Sequence, residues 1–432
     1  MSPITIAILG IAFMFLLILL QVPIGISMTA IGVVGFGILS GFGPALAIMA
    51  TECSNIISYP DYAVVPLFIL MGNFATCAGL SNDVYNLAYA FLGHRKGGLA
   101  LSTIGGCGLF GAVCGSSTAT AATFGRIALP EMLSRGYAPH FAAGCIAAGG
   151  TLGSLVPPSA ILVIYAIIAE EFILTLFKAA IIPAILSIVL YFIAIYIYLK
   201  IRPTAGPAGA RMTAKDRLKV TLRCWGVILI LIVFMGGLYG GIFTVTEAAS
   251  IGVVITFLFA LARKKMTKKM FWEALSGTAF STGMIYVIII GASIMTYFIT
   301  ITHMPDTVVG LISNSQLPTF VILVILLTVY LILGSLFDTV AAMIITLPFV
   351  LPLITHLGYS PIWWGIINVV VIEIGMITPP IGLNVFVLHG VSKDLPLNVI
   401  FKGILPFLMA DICRLILLTA FPILILVIPK YF

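Results

Sequence analysis

The chain has 432 residues, of which 61% are hydrophobic and 8% charged, where ordinary soluble domains are about half apolar and about a quarter charged. That balance excludes a soluble globular enzyme. The formal charge of +7 comes from short basic clusters between apolar segments and not from one polar face, so it points to basic cytoplasmic loops of a membrane protein and away from nucleic acid.

No Lys or Arg precedes Arg95, so the start lacks the basic region of a secretory signal, and residues 1–21 read as a first span that begins outside. Apolar segments at 24–42 and 62–80 are the next spans, each long enough as a helix to cross a hydrocarbon layer about 30 Å thick. Arg95 and Lys96 then bring the chain to the cytoplasm. Residues 98–136, whose ends both map there, enclose the polar run Gly115-Ser116-Ser117-Thr118-Ala119-Thr120. Charge parity does not separate a re-entrant hairpin from two full crossings. A hairpin is the expectation, because its tip at mid-depth places these hydroxyls beside the helix break that follows. The small residues Ala119 to Ala122 also suit close helix packing. Arg126 either snorkels to the interface or meets an anionic substrate.

Residues 141–168 form a span interrupted at Pro157-Pro158. A proline lacks an N–H and blocks a turn of helix, which is expected to free carbonyls from Gly153 to Val156. Half-helices at 141–150 and 159–168, about 15 Å each, put the break near the bilayer midplane. A span at 174–199 ends in the heaviest basic stretch, a cytoplasmic linker at 200–223 carrying Lys200, Arg202, Arg211, Lys215, Arg217, Lys219 and Arg223.

Beyond the linker, spans are expected at 222–243, 246–262 and 277–300, with Arg263, Lys264, Lys265, Lys268 and Lys269 inside. A second re-entrant region at 318–356 carries Phe337-Asp338-Thr339. An interrupted span at 362–389 breaks at Pro379-Pro380, with carbonyls free from Gly375 to Thr378, and a last span at 400–428 returns the chain outside. Both termini are therefore expected outside.

The two halves resemble each other at an offset of about 222 positions. Ile31-Gly32-Val33-Val34 recurs as Ile251-Gly252-Val253-Val254, and Gly136-Tyr137-Ala138-Pro139 as Gly358-Tyr359-Ser360-Pro361. Leu129-Pro130 recurs as Leu351-Pro352. Gly153-Ser154-Leu155-Val156-Pro157-Pro158 recurs as Gly375-Met376-Ile377-Thr378-Pro379-Pro380. The first copy starts outside and the second inside, so the copies, 1–199 and 224–432, are related by inverted topology, a pattern of secondary carriers.

Backbone can be interrupted at membrane depth only where it is buried in protein or lines a cavity, so the breaks mark sites. Freed carbonyls near a hydroxyl suit a hard cation such as sodium. The starts of the following half-helices, at Ser159-Ala160 and Ile381-Gly382, suit a carboxylate. Asp338 is a functional candidate because an acid at membrane depth is costly, and its expected partner is a cation. Glu247 follows an external turn and is expected to be wet. Glu373 either tunes the second site or makes an interhelical hydrogen bond, and Asp411 and Arg414, three apart on one helix, neutralise each other. The seven cysteines form no CxxC pair and read as packing residues. The five histidines lie far apart, with neither an HExxH nor a GxSxG motif, so no catalytic constellation is expected.

At these residues the chain resembles the large, DctM/SiaM-like membrane subunit of tripartite ATP-independent periplasmic (TRAP) transporters. The matching features are the GSST run before Leu129-Pro130-Glu131, the stretch from Gly150 to Ser159, Phe337-Asp338-Thr339, and the stretch from Gly375 to Asn384. The resemblance spans essentially the whole chain. It implies an all-α, polytopic inner-membrane carrier of the elevator type. In such a carrier two re-entrant hairpins (98–136 and 318–356) and two broken helices (141–168 and 362–389) slide against outer helices (1–80 and 224–300). It implies drive by sodium, a separate four-helix membrane subunit, and a soluble periplasmic binding protein that delivers an organic acid such as sialic acid (N-acetylneuraminate) or a C4-dicarboxylate. One sodium is then expected among Ser116, Ser117, Gly153, Val156 and Pro157, and a second among Gly334, Asp338, Thr339, Gly375 and Thr378. The substrate is expected between them, near Ser117, Thr118, Ser159, Thr339 and Asn384, with Arg126 as a further candidate. A stand-alone sodium/dicarboxylate symporter of the same architecture is the other reading.

Overall fold

In hydrocarbon a backbone N–H or C=O finds no water, so a chain this apolar must satisfy its backbone within helices. The computed structural model describes residues 2–314 and 317–431, and within them the regular structure is helical throughout. The outermost positions of the two expected halves, 1 and 432, lie outside the described residues.

The first half holds α1 (Pro3–Leu19), α2 (Ile24–Ser40), α3 (Phe42–Ser58), α4 (Val64–Ala78) and α5 (Leu80–Leu92). It continues with α6 (Gly98–Cys114), α7 (Ser117–Ser134), α8 (Pro139–Leu155), α9 (Ala160–Ile168) and α10 (Ile173–Ile201). The expected linker contains α11 (Ala214–Arg223). The second half holds α12 (Trp225–Tyr239), α13 (Val245–Ala262), α14 (Lys268–Ile301), α15 (Met304–Asn314) and α16 (Thr319–Leu336). It ends with α17 (Thr339–His356), α18 (Pro361–Gly375), α19 (Leu383–Val391), α20 (Leu397–Ala420) and α21 (Ile423–Tyr431). Among the described residues seven helical segments are long and apolar enough to cross a membrane, or nine if α8 with α9 and α11 with α12 each count as one bent span.

Several elements depart from the sequence reading. Helix α3 was not anticipated, because Thr51, Glu52, Ser54 and Asn55 interrupt its apolar run, and α5 carries Ser81, Asn82, Asp83 and Asn86. At the repeat offset, α3 and α4 together correspond to the single helix α14. That helix has 34 residues, so the span expected at 277–300 is only its later part. The last span is two helices, parted at Phe421-Pro422. Glu247 is neither free nor merely wet: with Thr244 it makes a capping box at the start of α13, its carboxylate accepting the Thr244 N–H at 2.9 Å.

The order of helix lengths repeats. Helices α6 to α10 have 17, 18, 17, 9 and 29 residues, and α16 to α20 have 18, 18, 15, 9 and 24. Packing follows the same scheme, α2 lying along α14 and α13 along α4, while α6 and α7 pack on α8 as α16 and α17 pack on α18. Helix α8 is buried from Phe141 to Leu155 and α18 from Trp363 to Gly375, so each interrupted helix is the core of its half. Helix α8 meets α20 at Gly144 and Gly403, where a Cβ on either residue would collide with the other helix's backbone. Large apolar side chains on α1, α12, α14, α16 and α20, among them Leu19, Ile232, Phe280, Phe320 and Met409, face outward as a lipid-embedded surface requires.

Two polar devices fix this arrangement. In the loop between α7 and α8, the Tyr137 hydroxyl accepts the Leu99 N–H at 3.1 Å and donates to the Pro207 carbonyl at 3.0 Å, tying the linker to the start of α6. Burial pushes that phenol up to about 12, so it stays a neutral donor. Between helices, Asp411 and Arg414 pair at 2.8 Å as expected from their spacing. Tyr191 donates to both Asp411 oxygens at 2.8 and 2.9 Å, and Arg414 donates to Ser187 at 2.6 Å, joining α20 to α10. Asp411→Ala would leave Arg414 buried without its counter-charge, at a cost of about 3–5 kcal/mol. A fall in the thermal unfolding midpoint of the purified chain, with Asp411→Asn less affected, is the expected result.

Candidate substrate and ion site

Hairpin formation is local in origin. Helix α6 stops at Gly115, whose φ of +64° lies in the left-handed region that favours glycine, and the chain reverses into α7. Ser116 caps α7, its hydroxyl accepting the Ala119 N–H, and in the second half Asp338 caps α17 by accepting the Ala341 N–H at 3.1 Å. At an offset of 222 positions Ser116 aligns with Asp338 and Ser117 with Thr339. The polar tips are thus equivalent points of the two halves.

Each tip sits against the interruption in its own half. Pro157-Pro158 and Pro379-Pro380 are both cis. A proline disfavours helix for itself and for the residue before it. Helix α8 therefore runs to Leu155, with Val156 extended (φ −73°, ψ 120°), beyond the expected end at 150. The Ser117 N–H donates to Ser154 Oγ at 3.1 Å, and the Gly382 N–H to the Ser335 carbonyl at 3.2 Å. Gly153 allows the first contact: a Cβ there would lie 2.5 Å from the Ser116 carbonyl oxygen and 2.6 Å from Thr120 Oγ1. Gly375 has the same role, its Cβ falling 2.6 Å from the Gly334 carbonyl carbon.

The carbonyls expected to be free are partly engaged. Ser154 O accepts the Ser159 hydroxyl at 2.5 Å, Gly375 O the Thr378 N–H at 2.8 Å, and Met376 O the Asn384 N–H at 3.1 Å. A one-turn return of the chain across each break brings these donors round, which spacing alone does not show.

The tips border a cavity of about 420 Å³. Its floor is Gly115 to Ala119, Ser154, Asp338, Thr339, Val340 and Met376. Its far wall is Asn73 on α4 and Gly277, Ser281 and Met284 on α14. Asn73 also donates to Thr278 at 2.9 Å, joining α4 to α14. Among the described residues that line the cavity, Asp338 is the single carboxylate, and no basic side chain is present. The first turns of α7 and α17 border the same space with the partial positive charge of a helix start, although the N–H groups of Ser117, Ala119 and Ala341 are already taken by Ser154, Ser116 and Asp338.

Beneath the tips lies a second layer. Glu373 of α18, 1% exposed, accepts the Ser117 hydroxyl at 2.7 Å and the Thr339 hydroxyl at 2.8 Å. Asn384, at the start of α19, donates to Ser117 Oγ at 2.8 Å.

Of the residues singled out by sequence, Ser116, Ser117, Thr118, Asp338 and Thr339 come together at the cavity. Gly153, Gly334 and Gly375 lie at the helix contacts behind the tips. Val156 and Pro157 form the first break, and Thr378 bonds back to the Ile374 carbonyl at 2.6 Å. Ser159 and Asn384 are fully buried behind the cavity wall. Arg126 is exposed on α7, its Nε donating to the Ala122 carbonyl of the same helix at 3.4 Å, and it is not among the residues that line the cavity. Ser154, Asn73 and Ser281 were missed. Ser154 sits inside the repeated break motif, and the other two are isolated polar residues in apolar helices, which is the signal that marks them.

An all-helical, multi-pass chain whose largely apolar cavity receives the polar tips beside paired helix interruptions has the build of a membrane transporter permease. Residues 11–424 match the family model described as the tripartite ATP-independent periplasmic transporter, DctM component, and the chain belongs to that family. It is similar to the C4-dicarboxylate TRAP transporter large permease protein DctM of Pseudomonas aeruginosa, with 34% identity over 90% of each chain. It is also similar to the sialic acid TRAP transporter large permease protein SiaM of Vibrio cholerae, with 28% identity over 85% of this chain and 86% of that protein. In fold it resembles the YdaH transporter of Alcanivorax borkumensis, with a TM-score of 0.61 at 15% identity, covering 88% of this chain and 89% of that one.

Proposed function

We propose that this chain is the translocating subunit of a sodium-driven, binding-protein-dependent importer of an organic acid in a bacterial inner membrane. The family's tripartite description and the relatives' names support a small membrane subunit and a periplasmic binding protein as partners. The observation that carries the reading is the convergence of two equivalent hairpin tips and two interrupted helices on one cavity. Asp338 supplies the charge for a cation, and the starts of α7 and α17 with Thr118 supply donors for a carboxylate. Sodium then occupies the tips, one ion near Ser116, Ser117 and Gly153 and one near Gly334, Asp338, Thr339, Gly375 and Thr378. The substrate lies between them.

In this reading α6 to α9 and α16 to α19 form the moving body of an elevator, and the outer helices, with α2 on α14 and α13 on α4, form its frame. Both termini are periplasmic, and the basic stretches at 200–223 and 263–269 are cytoplasmic. Relatives named for C4-dicarboxylates and for sialic acid make these the substrates to try first.

The test is uptake of labelled succinate and of labelled N-acetylneuraminate into proteoliposomes holding this chain and its small subunit. Accumulation only with an inward sodium gradient and with binding protein present is the expected result. Accumulation that ignores sodium contradicts the coupling, and equal accumulation without binding protein makes the chain a stand-alone symporter.

A further inference from the structure

The two oxygens of Glu373 serve different hairpins. Oε2 accepts the hydroxyl of Ser117, first residue of α7, and Oε1 that of Thr339, first residue of α17. These hydroxyls occupy equivalent positions in the two halves, so one carboxylate spans the pseudo-symmetry. At the repeat offset the first-half counterpart of Glu373 is Thr151. Its hydroxyl donates to the Ala148 carbonyl at 2.7 Å and lies 3.1 Å from the Tyr191 hydroxyl, so it offers no second bridge. Among the described residues, this is the one side chain that hydrogen-bonds both tips.

We propose that Glu373 is a positioning residue that couples the two tips, so that an ion at one prepares the other. This rests on the reading of two sodium sites given above. A hydroxyl whose hydrogen is held by a carboxylate has its lone pairs turned elsewhere, where they can meet a cation. Asn384 takes one lone pair of Ser117 Oγ and so fixes that rotor further. A cation at Ser117 polarises its O–H and strengthens the bond to Oε2, which steadies the carboxylate and with it the Thr339 hydroxyl. The first ion therefore bears the ordering of the bridge, and the second binds to a tip already ordered, which is positive cooperativity.

The experiment is a titration of the purified full chain with radioactive sodium, choline holding the ionic strength constant, read by equilibrium dialysis as sodium bound per chain. Wild type is expected to give a Hill coefficient well above one, with two as the ceiling for two sites. Glu373→Ala is expected to bring it to about one and to raise half-saturation about tenfold. Glu373→Gln keeps one acceptor, but its amide N–H donates into the other hydroxyl and fills a lone pair that a cation needs, so it is expected to lose the cooperativity as Glu373→Ala does. Ser117→Ala shifts the remaining site's half-saturation in the wild-type background but not beside Glu373→Ala.

Wild-type Hill coefficients in both Glu373 variants would overturn the proposal while leaving two sodium sites standing. A wild type that binds sodium without cooperativity would do the same. Wild-type cooperativity in Glu373→Gln, which can accept only one of the two hydroxyls, would overturn the bridge. A wild type that binds no sodium at all would sink the two-site reading itself and the coupling with it.

Discussion

Asp338→Ala is expected to leave a chain that inserts and folds but no longer accumulates substrate. Loss of the cap on α17 costs about 1 kcal/mol, which an intact helix packed on α18 tolerates. Loss of the only carboxylate among the described cavity-lining residues is a larger matter. A charge-assisted contact is worth about 1.5–3 kcal/mol, so sodium affinity at that tip should fall about tenfold to a hundredfold. Asp338→Asn separates the two effects, since an asparagine caps as well as an aspartate but carries no charge. Its unfolding midpoint should stay near wild type while sodium-driven uptake is lost. Wild-type uptake in Asp338→Asn would remove this residue from the ion site.

Gly153→Ala should be nearly as damaging although it adds one methyl group. The new Cβ would lie 2.5 Å from the Ser116 carbonyl oxygen and 2.6 Å from Thr120 Oγ1. The first of these is backbone and cannot swing aside, so the hairpin tip must lift from α8. Overpacking of this kind costs about 1–3 kcal/mol. The functional loss is greater, because the lift breaks the Ser117 contacts to Ser154 and Glu373. Gly43→Ala is the control: its Cβ would meet nothing within 4 Å. Uptake close to zero in the first variant and close to normal in the second, at matched membrane levels, is the expected pair of results.

How much of this was legible in the sequence follows from the physics of each feature. The interruptions were legible because a Pro-Pro pair acts on its own backbone, and the offset of 222 repeated the signal. The tips were legible because Ser116, Ser117 and Asp338 stand out where almost nothing else is polar. Helices α3 and α5 were not, since an amphipathic helix with several polar residues gives no continuous apolar run. The bridge through Glu373 was out of reach for another reason. Ser117 and Glu373 are 256 positions apart, and no local pattern says that α7 and α17 both start beside α18. Arg126, nine residues past Ser117, carried two expectations, snorkelling or contact with an anionic substrate; it is exposed on α7 and is not among the residues that line the cavity.

In the proposed carrier both tips face one cavity that opens alternately to either side of the membrane. Its most direct test is thiol labelling of the reconstituted full transporter, in a background where the seven native cysteines are replaced. Single cysteines at Thr118 and Val340, both on the cavity wall, would be probed with a membrane-impermeant reagent from each side. Both positions are expected to react from the same side, and sodium with substrate is expected to move both to the other side together. Labelling of the two positions from opposite faces, or of neither under any condition, would contradict it.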